Sequence, residues 1–331
     1  MSDSLAHSHQ TSPDKLSTEV KKLLAIALPI MGAQIAQSSM SVADTLMVGR
    51  LGADALAAVA LGTSVWMPLF LLLAGVLLGL TPFIAQWNGA KEDHKIGPFA
   101  FQGFWLGLTL AFLSIAVMSL HPRILDLMQV PEHLYDSVSD YLLGIMLGFP
   151  AIGLYQTMRS FTEGLGFTKP VLLISLASLV VNIIANAVLI FGFGPIPALG
   201  VLGCGLATAL AMWSSVLFMW LYIRKQPRYQ AFNLLDHPAL PNTQDIKEIA
   251  RVGLPIGVAI FFEVGLFTTI ALFIAHLGST DVAAHQIALN VTSVTFMIPL
   301  SLAMALTVRV GQGIGEQGQQ AAHRISLIGI C

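Results

Sequence analysis

Residues 259–273 read AIFFEVGLFTTIALF, an apolar stretch that carries one charge, Glu263, behind two phenylalanines. It is the middle of a longer run, 252–275, and a helix of about 20 apolar residues is what about 30 Å of hydrocarbon requires. An ionised carboxylate inside hydrocarbon costs at least about 2.5 kcal/mol. The stretch therefore poses two questions, whether the chain crosses a membrane and what an acid does at that depth.

Composition answers the first. Of 331 residues, 55% are hydrophobic and only 10% charged, against about 25% charged in ordinary soluble domains. Apolar runs long enough to span recur at 23–48, 56–84, 99–120, 138–158, 171–192, 199–223, 252–275 and 282–308. The pattern predicts an all-α polytopic membrane protein with eight spans and the start of a ninth near His323. The first 22 residues are polar and lack the order of a cleaved signal peptide, so they read as a tail at the membrane surface.

Charge supports the count independently. Of 16 lysines and arginines, 14 fall in the tail or after even-numbered spans, and only Arg50 and Arg123 fall on the other side. The positive-inside rule then places the amino terminus in the cytoplasm. Two cysteines, Cys204 and Cys331, form no disulfide framework. Nothing in the charge pattern points to a nucleic-acid partner.

An internal repeat organises the chain. At a constant offset of 226, Leu28-Pro29-Ile30 matches Leu254-Pro255-Ile256, Leu51-Gly52 matches Leu277-Gly278, Ala57-Ala58 matches Ala283-Ala284, Gln86 matches Gln312, and Gly89 matches Gly315. Transporters are commonly built from two related bundles. The expected organisation is a tail (1–22), a six-helix N-lobe (23–223), a cytoplasmic inter-lobe loop (224–250) and a partial C-lobe (251–331). A complete second copy would run to about residue 450, which would leave the chain short of its last spans. Under the offset Gln37 corresponds to Glu263, so equivalent places in two first helices differ in charge.

Glu263 lies 12 residues from Arg251 and 13 from His276, near mid-membrane. Two readings are open: a carboxyl that glues neighbouring helices, or a carboxylate in a water-filled cavity that binds a cation or a proton. Asp44 sits six residues before Arg50, and either pairs with it at the interface or belongs to a polar face with Gln34, Gln37 and three serines. Asn182 and Asn186 are four apart, hence on one helical face. Their amides either pair across helices or offer neutral oxygens to a cation held by Asp44; Thr208 is a weaker candidate of the same kind. Gly75/Gly79, Gly103/Gly107 and Gly144/Gly148 are GxxxG pairs that let helices approach closely. No P-loop, nucleophile elbow or H-E-x-x-H motif occurs, so an enzyme has no support.

The stretches SVADTLMVGRLGADALAAVAL, RSFTEGLGFTKP, FFEVGLF and HLGSTDVAAHQIALN resemble the multidrug and toxic compound extrusion transporters, and among them the bacterial NorM-like branch. The resemblance extends from about Leu23 to the last residue. It implies twelve spans in two six-helix bundles around a central cleft, in the bacterial inner membrane, and export of cationic drugs in exchange for Na⁺ or H⁺. No other cofactor and no partner subunit is implied. By position Asp44 resembles the family's first-helix acid in an N-lobe cation site, Asn182, Asn186 and Thr208 its polar companions, and Glu263 the seventh-helix acid that binds the coupling cation in the C-lobe. Some relatives carry aspartate where Asn186 stands, so the N-lobe site here has one charge fewer. A further acid of the tenth helix would lie beyond Cys331, which leaves the C-lobe site incomplete in these residues. Two alternatives are a lipid-linked oligosaccharide flippase, which would need a cationic cleft, and a truncated membrane protein that does not transport. No arginine or lysine is expected deep in a span.

Overall fold

The computed structural model describes residues 13–232, 234, 239–274 and 279–330. Apart from one bridge between Phe193 and Ile196, the described residues form helices, loops and turns. The helices are α1 (Pro13–Val48), α2 (Ala53–Leu78), α3 (Leu80–Ala90), α4 (Asp93–Met118), α5 (His121–Leu127), α6 (Glu132–Met146), α7 (Phe149–Gly164), α8 (Lys169–Phe191), α9 (Gly200–Lys225), α10 (Pro227–Gln230), α11 (Thr243–Ile274), α12 (Ser279–Gln317) and α13 (Gln319–Ile330). Among the described residues six spans are long and apolar enough to cross a membrane, and seven if a bent pair counts as one. The chain is a multi-pass membrane protein. Much of span seven and the start of span eight, with most of HLGSTDVAAHQIALN, carries side chains outside the described set.

The bent pair is α6 with α7, which meet at 43°. Pro150 in the first turn of α7 has no N–H to donate back. The nearby Leu147 carbonyl accepts a hydrogen bond from the Trp213 indole at 2.9 Å, so α9 satisfies backbone left exposed at the bend.

The helix boundaries repeat as the sequence does. α4 begins at Asp93 and α13 at Gln319, 226 apart. Pro29 lies inside α1 and Pro255 inside α11. The contacts repeat as well. A Cβ on Gly89 would meet the Gln312 carbonyl oxygen at 2.1 Å, and one on Gly315 would meet that of Gln86 at 2.0 Å. Each pair exchanges partners under the offset, so the two halves face each other across a local two-fold between α3 and α12.

The GxxxG pairs are where backbones meet. Gly75 and Gly79 lie against Gly257 and Gly253 of α11, Gly107 against Gly153 of α7, and Gly144 against Gly205 of α9. At these places a side chain of any size would separate the helices.

One expectation is corrected. Arg159 and Arg309, which the apolar runs place just after spans four and eight, are buried within helices, because α7 and α12 run on past their apolar cores. Each has a glutamate partner: Arg159 Nε donates to Glu163 at 2.8 Å, and Arg309 donates to Glu19 of α1 at 2.7 Å. A buried guanidinium held this way is neutralised in place. Neither offers the free positive charge that a pyrophosphate-binding cleft would require.

Candidate functional site

α1 carries Asp44 one turn from its end at Val48, and α8 and α9 run beside it. The side chains of α8 at positions 175, 178, 182 and 186 form one stripe, because steps of three and four residues return to the same helical face. That stripe faces inward. Asn182 and Asn186 are 0% exposed, Thr208 7% and Asp44 9%.

Four sequence-predicted residues therefore meet. Asn186 Nδ2 donates to Asp44 Oδ1 at 2.5 Å and also approaches Asn182 Oδ1 at 3.2 Å. Thr208 Oγ1 stands 3.2 Å from Asp44 Oδ2 and 3.1 Å from the Cys204 carbonyl, with a single proton for the two. Asp44 is thus held by amide and hydroxyl groups and not by Arg50, which is exposed. Two buried atoms of the cluster, Asn186 Oδ1 and Asn182 Nδ2, make no hydrogen bond. The group offers oxygens from a carboxylate, an amide and a hydroxyl around one formal negative charge, the donor set that hard cations take.

Sequence reading missed the wall of this site. Tyr141 of α6 is buried close to Asp44 and Cys204. Its hydroxyl accepts the Trp66 indole N–H at 3.3 Å and lies 3.3 Å from the Thr63 hydroxyl, both on α2. A single tyrosine in an apolar run has no spacing that would have singled it out; only the fold brings it to the acid.

The other candidates lie apart from this group. Gln34 is half-buried and donates to the Met304 sulfur of α12 at 3.8 Å, while Gln37 is half-buried further along α1. Glu263 is exposed on α11 and makes no ion pair with a described residue. The fold thus brings the N-lobe residues together and leaves Glu263 on an open face.

The MatE family model matches residues 29–188 and 255–331. The chain is 39% identical over 312 residues to the probable multidrug resistance protein NorM of Acinetobacter baylyi, covering 94% of this chain and 70% of that one. It is 44% identical over 302 residues to the multidrug resistance protein PmpM of Pseudomonas aeruginosa, covering 91% of this chain and 63% of that one. Among solved structures, the eukaryotic MATE transporter AtDTX14 superposes with a TM-score of 0.84 at 22% identity, over 95% of this chain and 69% of that one, which speaks for the fold. An outward-facing multidrug resistance MATE transporter of the MOP superfamily superposes with a TM-score of 0.80 at 25% identity, over 94% of this chain and 68% of that one. The two sequence relatives are named as multidrug resistance proteins and the two solved structures as MATE transporters. The family match, the identity to NorM and the shared helical fold together make this chain a member of the MatE family, in its NorM-like branch of multidrug transporters.

Proposed function

We propose that the protein exports cationic drugs across the bacterial inner membrane in exchange for Na⁺ or H⁺, by alternating access of a cleft between its two lobes. Its amino terminus faces the cytoplasm, it works without partner subunits, and it uses no cofactor beyond the coupling ion. The observation that carries the reading is the buried Asp44 carboxylate, bonded to Asn186 and Thr208 with no basic partner. A carboxylate kept at depth among neutral groups is a site for a proton or a small cation. Glu263 serves as the C-lobe acid for which drug and coupling ion compete.

The test uses the complete transporter in cells and follows ethidium extrusion. Glu263→Gln abolishes extrusion while leaving expression intact, and Asp44→Asn lowers it at least about tenfold, as the loss of a charged hydrogen-bond partner implies. Unchanged extrusion in either variant removes that residue from the mechanism.

A further inference from the structure

The inward stripe of α8 does not end at the Asp44 cluster. Ser178 and Ser175 continue it towards the cytoplasmic end, both buried. α9 runs antiparallel and meets each level in turn, with Thr208 beside Asp44 and Ser215 beside Ser178, whose hydroxyls are 2.7 Å apart. At the far end the Tyr155 hydroxyl of α7 lies close to Ser175 and to the Arg159–Glu163 pair. The result is a column of polar side chains inside a bundle that is otherwise packed with Leu, Ile, Phe and Ala.

The atoms left over sit at its two ends. Asn186 Oδ1 and Asn182 Nδ2 at one end, and the Ser175 and Tyr155 hydroxyls at the other, are buried without a hydrogen bond of acceptable geometry. Buried polar atoms in folded proteins are satisfied by protein or by ordered water, because leaving them bare costs free energy. Between the ends Ser214 and Ser215 both donate to the Ala211 carbonyl, at 2.7 and 3.0 Å, which leaves Ser178 to donate to Ser215; the Ser178 oxygen meets only a long approach of Ser214 at 3.5 Å and retains room to accept from water. Successive levels of α8 are four and three residues apart, about 6 and 4.5 Å along the axis, and two hydrogen bonds of about 2.7 to 3.0 Å placed end to end cover such a distance. One water per gap would connect Asn182 to Ser178 and Ser178 to Ser175.

We infer that the N-lobe interior holds a file of ordered water that links the Asp44 cluster to Tyr155 near the cytoplasmic end, separate from the cleft between the lobes. Such a file links the carboxylate by hydrogen bonds to the buried Tyr155 hydroxyl, along a route other than the cleft. The Arg159–Glu163 pair closes the lower end, since Glu163 is 1% exposed and its Oε1 is already engaged. The file stands whether or not Asp44 couples transport, so its test reads water and not drug.

The experiment is hydroxyl-radical footprinting by X-ray radiolysis of the complete protein in nanodiscs, in which buried side chains are modified where bound water lies beside them. Phe149 and Phe161, both 0% exposed, are internal references. Tyr155 is expected to be modified at least about tenfold faster than either, and Ser178→Val, which puts a methyl group into the file, to slow Tyr155 at least about threefold. If Ser178→Val does not fold, Ser175→Val makes the same comparison. A Tyr155 rate equal to that of the phenylalanines overturns the inference. So does a fast rate that neither valine variant changes, because the water at Tyr155 would then arrive by another route.

Discussion

Besides the α3–α12 contact on the two-fold, two further seams join the halves, and these are related by the repeat yet built differently. In one, α11 lies on α2 with Gly253 and Gly257 against Val76, Gly75 and Gly79, and backbone touches backbone. In the other, α1 lies on α12, where Ala27 and Ala305 occupy the places of Gly253 and Gly79, among Leu23, Ile26, Ile30 and Val308. This second seam adds polar links that the first lacks at the equivalent positions: the Glu19–Arg309 ion pair, where the first seam has Asp245 and Phe83, and the Gln34–Met304 contact, where it has Ile260 and Leu78. One scaffold thus supports a dry joint set by backbone shape and another set by side chains that can let go. If the lobes move as proposed, the second seam is the one expected to part and the first the one expected to hold.

The largest effect is expected where backbone meets backbone. A Cβ on Gly253 would stand 1.8 Å from the Val76 carbonyl oxygen, and a carbonyl in a helix cannot step aside as a side chain does. Gly253→Ala is expected to cost at least the upper end of the usual overpacking range, about 3 kcal/mol. The opposite change in the other seam, Ala305→Gly, is expected to cost about 1 kcal/mol through helix propensity. Thermal unfolding of the complete protein in detergent measures both. Equal effects would break the distinction between the seams.

Next comes the ion pair. Arg309 also donates to Gln312 Oε1 at 2.7 Å, so its guanidinium ties α1 to α12 while remaining buried. Glu19 has Lys22 as a second partner at 2.9 Å and is partly exposed, which limits what the loss of Arg309 leaves stranded. Arg309→Met is therefore expected to destabilise by about 2 kcal/mol. A double-mutant cycle with Glu19→Gln should give a coupling of at least about 1 kcal/mol. A coupling near zero would mean that the pair is incidental and the seam is held by its apolar contacts alone.

Hydropathy located the apolar middle of the spans found among the described residues. What it could not mark was how far a helix continues into the membrane surface, where water tolerates charge. Arg159 and Arg309 fall just past the apolar runs for that reason, and the links that bury them are invisible to hydropathy. The repeat carried further, because a constant offset fixes helix starts as well as composition: Asp93 and Gln319 begin equivalent helices. In the site, Asn182 and Asn186 were legible from their spacing, since one helix presents both. Asp44 and Thr208 join them only across α1 and α9; the residue types suggested that grouping as one of two open readings, and the family resemblance implied it. Tyr141 and its Trp66 partner were found by packing alone, since nothing in their own segments distinguishes them from core aromatics.

The smallest effect on stability is expected at the polar contact of the second seam. The Gln34 amide donates to a thioether, a weak acceptor, at 3.8 Å, and the side chain is already half in contact with solvent. Replacing the pair by its counterparts from the first seam, Gln34→Ile with Met304→Leu, exchanges a weak hydrogen bond for apolar contact and should shift stability by no more than about 0.5 kcal/mol. Transport is where the change should register. If α1 and α12 separate during the cycle, Gln34 returns to water, and isoleucine does not do so without exposing apolar surface. Ethidium extrusion in the double variant should therefore fall several-fold while unfolding temperature holds. Unaltered extrusion would show that this seam stays closed throughout, and the opening would then have to be sought along the glycine joint instead.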